Sequence, residues 1–201
     1  MIKMVLASKN RHKLEEIRDI VKELDIQLIS MEEAGLGKLE IIEDGKTFEE
    51  NSMKKAVTVM EKTNTIAIAD DSGLEVDYLD GRPGVYSARF SGENATDQDN
   101  NRKLLHMLEG VPLKDRVGRF VSVISVSFPD GRRLSFRGEC EGIIGLEERG
   151  LGGFGYDPLF IVPEYDKTFA QLGSDIKNSI SHRARALEKF GRKLKKLLGE
   201  K

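Results

Sequence analysis

Short apolar runs alternate with amphipathic helical patterns in the first half of this chain, and this alternation limits its fold more than any other feature. The run over residues 4 to 7 predicts a buried strand, and a second strand is predicted over Ile26 to Ile29. Apolar residues recur in the intervening segment at three- and four-residue steps, as on one face of a helix: Leu14, Ile17, Val21 and Leu24. A strand, a helix and a second strand in this order are typical of an α/β protein.

The same alternation continues through the next 45 residues or so. Thr47 and Glu50 have the spacing of a helix-capping box, which predicts a helix over about residues 47 to 62. The apolar run Ile66 to Ala69 predicts a strand that ends at Asp70-Asp71-Ser72-Gly73. This part of the chain therefore adds a second helix and a third strand.

A hairpin dominates the middle of the chain. Phe120 to Phe128 predicts a strand, Pro129-Asp130-Gly131 a turn, and Leu134 to Gly138 the returning strand. Seven glycines over Gly138 to Gly155 predict bends with special backbone angles. One last helix is predicted from about Ile176 onward. We therefore expect an α/β fold with a mixed β-sheet.

The composition excludes several classes of protein. The chain has 201 residues, and its 32 Lys and Arg nearly balance its 34 Asp and Glu, so we do not expect a protein that coats nucleic acid. Its apolar runs are far shorter than the ~20 residues of a membrane-spanning helix. The apolar stretch at its start is too short for a signal peptide. One cysteine cannot form an internal disulfide, so we expect a cytoplasmic location.

The segment from Ser8 to Lys13 is expected at a strand-to-helix junction, where free backbone N–H groups and the helix dipole favour an anion. The first 13 residues hold four cations and no acid: Lys3, Lys9, Arg11 and Lys13. Cations oppose the dipole at a helix N-terminus, so a bound anion would help to explain them. A solvated turn with a Ser or Asn cap explains the same sequence equally well.

Asp70 and Asp71 follow a predicted buried strand, and ligands of α/β sheets bind beyond the carboxyl ends of strands. Neighbours on an extended chain point to opposite sides, so the two carboxylates should not share one role. One can face a site, where Mg²⁺ prefers oxygen ligands, and the other can brace the Ser72-Gly73 turn. The alternative is a strand-ending Asx turn.

A second group of acids lies before and at the start of the helix predicted from Thr47. The helix dipole explains Glu49 and Glu50, but not Glu43 and Asp44. Either of the latter two can supply a second metal oxygen, or both belong to a solvated loop. On the same helix, Lys54 and Lys55 either reach a phosphate or simply face water.

Gly152 to Pro158 places aromatic residues among glycines. Phe154 lies between two glycines on a predicted bend, so we expect its ring to be exposed and able to stack on a nucleobase. Asp157 can accept hydrogen bonds from a base edge. The alternative is a turn whose aromatic side chains fold back into the core.

Polar donors follow late in the chain. Lys177 precedes His182 and Arg183, which are about 100° apart on the predicted helix and can line one cleft wall. A structural histidine is the alternative. Cys140 has no His near it in sequence, so we expect a small buried residue and not a nucleophile. Together, the cationic turn, the carboxylates, the aromatic loop and these donors suit a Mg²⁺–nucleoside triphosphate.

These motifs resemble the inosine triphosphate pyrophosphatase family, specifically its bacterial dITP/XTP pyrophosphatase type. The matching stretches occur in order over nearly the whole chain: Ser8 to Leu14, Thr47 to Ala56, Ala69 to Leu74, Pro83 to Arg89, Gly152 to Pro158 and Ile180 to Arg183. The chain departs from the usual pattern at Ser8-Lys9, where many members have Thr-Gly, and at Ile176, where an acid is usual.

The resemblance implies hydrolysis of ITP, dITP and XTP to the monophosphate and pyrophosphate, with Mg²⁺ as cofactor. It also implies one pyrophosphatase domain over residues 1–201, with two lobes, a nucleotide cleft, a long mixed sheet flanked by helices, and a homodimer. By motif, Asp71 corresponds to the general base and, with Glu43, to the metal ligands. The implied nucleotide contacts are Ser8, Lys9, Asn10, Arg11, His12, Lys13, Lys55, Ser72, Phe154, Gly155, Tyr156, Asp157, Lys177, His182 and Arg183.

Three other functions are weighed against this one. Septum-inhibitor-like pyrophosphatases act on modified pyrimidine or other nucleotides, and a substrate panel separates them from the first hypothesis. A nucleotide-sensing module would bind ITP without releasing pyrophosphate. A nucleic-acid binder is disfavoured because acids match the basic residues and no RNA-reading motif occurs.

Overall fold

The computed structural model describes residues 1–22 and 24–198. The β-strands are β1 (Ile2–Leu6), β2 (Ile26–Ser30), β3 (Ala67–Val76), β4 (Val117–Ser127), β5 (Arg133–Ile144), β6 (Phe160–Val162) and β7 (Lys167–Thr168). The α-helices are α1 (Arg11–Val21), α2 (Phe48–Thr63), α3 (Asp97–Met107), α4 (Ser174–Ile180) and α5 (His182–Leu198). None of these helices is long and apolar enough to cross a membrane.

The strands form one seven-stranded sheet in the order β2-β1-β3-β4-β5-β6-β7. β1 pairs in parallel with β2 and β3, whereas β6 pairs antiparallel with β5 and β7. The predicted mixed sheet of an α/β fold is therefore confirmed. The predicted hairpin turn is also present, because the N–H of Gly131 donates to the carbonyl oxygen of Phe128 over 3.0 Å.

The chain divides into two compact units. Unit 1 comprises Met1–Asp71, Ser122–Gly138 and the segment that begins at His182, and unit 2 comprises Ser72–Val121 and Glu139–Ser181. Each unit has its own apolar core. The core of unit 2 includes three phenylalanine rings with centroids 4.6 to 5.7 Å apart: Phe120, Phe160 and Phe169.

Side chains of unit 1 alternate along the strands, as the pleat of a β-strand requires. In β1, Met4 and Leu6 pack with residues of α1 and α5, whereas Val5 packs with residues of α2. β3 alternates in the same way, with Ile68 on the side of α1 and α5 and Ala69 on the side of α2. Successive side chains of β3 therefore pack alternately against α1 and α5 on one side of the sheet and against α2 on the other.

Two boundaries differ from the prediction. β3 does not end at Asp70 but continues to Val76. The carboxylate of Asp70 pairs with Lys13 and Arg183 inside unit 1 and does not close an Asx turn. The predicted last helix is interrupted at Ser181, whose backbone is extended (φ −67°, ψ 161°), so that α4 and α5 are separate helices. The prediction of glycine bends is half right, because Gly138 lies inside β5, whereas Gly150 has a positive φ.

Gly138 lies where α5 packs directly on the backbone of β5. A Cβ atom here would lie 2.2 Å from the carbonyl oxygen of His182 and 2.4 Å from the amide nitrogen of Ala186. Because backbone atoms cannot give way cheaply, we expect Gly138→Ala to lower the free energy of unfolding by about 3 kcal/mol or more. Gly37→Ala, whose Cβ would make only ordinary contacts, is the control. Equal melting temperatures of the two variants would contradict this packing.

Candidate functional site

The cationic turn after β1 is a capped helix start. The Asn10 side chain caps α1, and its Oδ1 accepts a hydrogen bond from the N–H of Lys13 over 3.1 Å. The Ser8 hydroxyl oxygen accepts one from the N–H of Asn10 over 3.2 Å. The first turn of α1 contains no acid, and the residues Lys9, Arg11 and His12 are exposed. The turn thus combines a helix N-terminus with accessible cations.

Asp70 is the centre of a buried ion network in unit 1. Its carboxylate is 0% exposed and lies 2.7 Å from the Lys13 Nζ and 3.2 Å from the Arg183 Nη2. The Ser122 hydroxyl donates to its other oxygen over 2.5 Å. Burial opposes ionisation of this carboxyl, but Arg183 and Lys13 outweigh it and hold the pKa of Asp70 well below its usual range. Asp70 is therefore a buried carboxylate whose negative charge pairs with Lys13.

Asp71 points to the opposite side, as the alternation of strand residues predicts. Its Oδ1 lies 3.3 Å from the Nζ of Lys55, a lysine of α2 that is only 7% exposed. The same Nζ contacts the Glu43 Oε1 over 3.0 Å and donates to the Asp70 carbonyl oxygen over 2.9 Å. Burial tends to lower the pKa of Lys55, but Asp71 and Glu43 raise it, so the ammonium stays charged.

The carboxyl of Asp71 differs electrostatically from that of Asp70. Burial is the largest influence on the pKa of Asp71 and raises it, and the negative charges of Glu43 and Asp70 act in the same direction. The positive charges of Lys55 and Lys13 lower the pKa but do not outweigh these effects, so the net change is an increase. Its Oδ2 is buried and accepts no hydrogen bond from the part of the chain that the structure describes. A buried oxygen of this kind is costly, which marks it as a contact point for a water, a cation or a substrate.

The oxygen donors here fit a hard cation. Glu43 and Asp71 share one lysine, and the second oxygen of Asp71 is available. No cluster of three or more His, Cys, Asp or Glu that suits a metal occurs within residues 1–22 and 24–198. Two carboxylates would therefore need waters or phosphate oxygens as further ligands, which is the coordination that Mg²⁺ commonly has in proteins.

Contacts of α2 explain why Glu43, and not Asp44, lies beside Asp71. Asp44 turns outward and pairs with Lys54 over 2.6 Å, with 67% of its side chain exposed. The loop before α2 is tied down because the Asn51 Oδ1 accepts a hydrogen bond from the N–H of Gly45 over 2.8 Å. The residue pattern alone left Glu43 and Asp44 as equal candidates, whereas the family resemblance pointed to Glu43, and the contacts also favour Glu43.

The aromatic loop belongs to unit 2 and is organised by Asp157. The Asp157 Oδ2 accepts hydrogen bonds from the N–H of Phe154 over 2.9 Å and from the Nζ of Lys177 over 2.6 Å. The Nζ of Lys177 also lies 4.8 Å from the ring centroid of Phe154. Gly153 has a φ of +75°, and a Cβ atom there would lie 2.1 Å from the Asp157 Oδ2. Glycine is thus required for the carboxylate to approach the backbone.

The two aromatic residues of this loop differ in exposure. Phe154 is half-buried, so it is less open than its glycine neighbours suggest. Tyr156 is 4% exposed, and its hydroxyl donates to the Ser87 carbonyl oxygen over 2.8 Å. Burial, and to a lesser degree Asp97, raises the pKa of this phenol, which keeps its proton for that bond. The alternative of a side chain folded into the core therefore holds for Tyr156.

The remaining candidates are distributed over both units. His182 and Arg183 begin α5 in unit 1, and Arg183 is 1% exposed, with its guanidinium paired to Glu16 and Asp70. Lys177 and the half-buried Ser72 belong to unit 2. Cys140 is buried, as predicted. The pairing of Lys13 and Arg183 with Asp70 is not predictable from the sequence, because no local pattern links residues so far apart.

Comparison with known proteins agrees with the motifs. A family model described as the Ham1 family matches residues 4–193. A curated protein of Desulforamulus reducens, named dITP/XTP pyrophosphatase, is 53% identical over 188 residues, which cover 94% of this chain and 93% of that protein. One of the same name from Clostridium perfringens is 48% identical, covering 98% of this chain and 100% of its own.

Solved structures agree as well. The Ham1 protein of Staphylococcus aureus superposes with a TM-score of 0.86 at 42% identity, covering 96% of this chain and 98% of that one. A HAM1 protein from Coxiella burnetii gives a TM-score of 0.88 at 40% identity, covering 98% and 100%. The resemblance inferred from the motifs is confirmed by sequence and by fold, and the chain belongs to the Ham1 family.

Proposed function

We propose that this chain hydrolyses ITP, dITP and XTP to the nucleoside monophosphate and pyrophosphate, and so removes deaminated purines from the nucleotide pool. One observation carries the proposal: a buried Asp71 with a raised pKa and an Oδ2 that accepts no hydrogen bond among the described residues. It occurs in a chain that is similar over nearly its full length to proteins named dITP/XTP pyrophosphatase.

Asp71 is the proposed general base. It orients a water whose oxygen bonds to the α-phosphorus, while the bond from that phosphorus to the bridging oxygen breaks and pyrophosphate departs. The water's proton passes to the Asp71 carboxylate. Burial raises the pKa of Asp71, which favours proton transfer to this carboxylate, whereas the charge of a bound cation would lower that pKa.

Cations of unit 1 are proposed to hold the triphosphate. The turn from Ser8 to Lys13 offers backbone N–H groups and the charges of Lys9, Arg11 and Lys13, and Lys55 adds a buried ammonium. Glu43 and Asp71 are the proposed ligands of Mg²⁺, which when bound supplies positive charge that stabilises the phosphate oxygens.

Residues of unit 2 are proposed to hold the purine. Phe154 stacks on the base, while Gly155, Tyr156 and Asp157 shape and polarise this loop, and Lys177 fixes Asp157. Ser72 is a further proposed nucleotide contact. In unit 1, His182 is proposed to donate to the 6-oxygen that inosine and xanthosine carry. Because the guanidinium of Arg183 is paired with Asp70, we propose that Arg183 holds Asp70 in place, and through it Lys13, instead of contacting the nucleotide.

Three broader expectations accompany this proposal. We infer that residues 1–201 act as one pyrophosphatase domain. We also infer a homodimer, from the family resemblance. A single, buried cysteine agrees with action in the cytoplasm, where thiols stay reduced.

A substrate panel tests the function. We expect pyrophosphate release from ITP, dITP and XTP at least tenfold faster, as kcat/KM, than from ATP or dTTP, because a buried polar donor rejects a base that lacks its partner atom. Removing the divalent cation with EDTA should abolish turnover, and Mg²⁺ should restore it. Faster release from dTTP or modified pyrimidines would favour the septum-inhibitor-like activity. Binding of ITP without pyrophosphate would indicate a sensing module.

A further inference from the structure

Helix α3 carries two adjacent buried asparagines, although most of its surface is polar. Asn100 and Asn101 are 3% and 2% exposed. A buried amide is costly unless it is hydrogen-bonded, so each needs a reason to be there. The Asn100 side chain donates to the Ala88 carbonyl oxygen over 3.1 Å and accepts from the N–H of Ser91 over 2.8 Å, which fixes the segment before α3.

Asn101 makes a different contact, to the aromatic loop of unit 2. Its Nδ2 donates to the carbonyl oxygen of Gly155 over 3.1 Å. Its Oδ1 is buried and accepts no hydrogen bond from the residues described. An amide that leaves one atom unsatisfied is a poor choice for packing alone, so the bond to Gly155 is the feature that accounts for it.

Asp97, one helical turn earlier on α3, binds the other side of the same glycine. Its Oδ2 accepts a hydrogen bond from the N–H of Gly155 over 2.7 Å. Residues four apart lie on the same face of a helix, so Asp97 and Asn101 can both face Gly155. Together they hydrogen-bond to its backbone N–H and to its carbonyl oxygen. Gly155 has a φ of +61°, one of several backbone conformations open to glycine, and the two hydrogen bonds favour this one.

We propose that Asp97 and Asn101 are positioning residues that set the aromatic loop, and with it Phe154 and Asp157, in the geometry that receives the purine. The inference rests on the proposed function, because it takes this loop as the base-binding element. Asp97 and Asn101 both act through Gly155, which lies next to Phe154 and two residues before Asp157.

A kinetic comparison of four variants tests the inference. Asn101→Ala and Asp97→Ala should each raise the KM for ITP about five- to tenfold, the equivalent of one hydrogen bond, with kcat changed less than twofold. Asp97→Asn keeps an acceptor oxygen and should restore the KM. Asn100→Ala removes an equally buried amide that does not contact the loop, and should leave the KM unchanged.

Inhibition by inorganic tripolyphosphate supplies the second readout. This anion lacks a base, so its inhibition constant should be the same in all four variants. Asp97 is exposed, so its variants stay informative if Asn101→Ala fails to fold. Unchanged KM values in Asn101→Ala and Asp97→Ala, in an enzyme that hydrolyses ITP, would overturn this inference alone. A wild-type chain that releases no pyrophosphate would instead overturn the proposed function, and this inference with it.

Discussion

Asp71→Asn is expected to lower the kcat for ITP about a thousandfold or more and to leave the fold intact. The amide cannot take a proton from water, and general-base catalysis contributes about 10²- to 10⁴-fold. It is also a weaker ligand for a divalent cation, which adds to the loss. Steady-state pyrophosphate release at saturating Mg²⁺ measures the effect.

Asp44→Asn is the matched control for that variant. Asp44 lies in the same acidic region but faces solvent and pairs with Lys54, so its replacement should leave kcat within about twofold. The melting temperature of Asp71→Asn should stay close to that of the wild type, because Lys55 keeps Glu43 as a partner. Full activity of Asp71→Asn would refute the assignment of the base.

Asp70→Asn, one residue away, is expected to act on stability instead. The change leaves the buried guanidinium of Arg183 and the Nζ of Lys13 without their shared carboxylate. Breaking a buried ion pair from one side costs about 3–5 kcal/mol, which for a chain of this length corresponds to a melting temperature lower by roughly 10 °C. Thermal unfolding followed by circular dichroism measures it.

The two neighbouring variants form one experiment, because each serves as the control for the other. Their side chains lie on opposite sides of β3, and the exchange of oxygen for nitrogen is the same. Asp70→Asn should lose stability, whereas its kcat, measured well below its melting temperature, should fall far less than that of Asp71→Asn. If Asp70→Asn had the same melting temperature as the wild type, the buried ion network around Asp70 would not stabilise unit 1.

The opposite roles of this pair are what the sequence predicts best. Strand alternation alone places Asp70 and Asp71 on different sides, and the structure gives Asp70 the partners on α1 and α5 and Asp71 the partner on α2. The start of α1 at an Asn cap and the mixed sheet also follow from local pattern. These are properties of short segments, which periodicity and capping describe well.

Features that depend on distant contacts were not predictable. Arg183 pairs with Asp70, which lies 113 positions earlier in the chain. The sequence therefore suggests a guanidinium that is accessible to a ligand, although the side chain is buried. The break between α4 and α5 at Ser181 is not predictable, because no glycine or proline occurs there to indicate the end of a helix. Asn100 and Asn101 look like the solvated face of a polar helix, and only the packed structure shows that both amides are buried.

The route of oxygen during ITP hydrolysis tests the central claim most directly. Wild-type enzyme is supplied with ITP and Mg²⁺ in ¹⁸O-labelled water, and the products are identified by mass spectrometry. A water oriented by Asp71 at the α-phosphorus predicts inosine monophosphate with one ¹⁸O and pyrophosphate with none. Label in the pyrophosphate, or formation of inosine diphosphate and phosphate, would contradict the account.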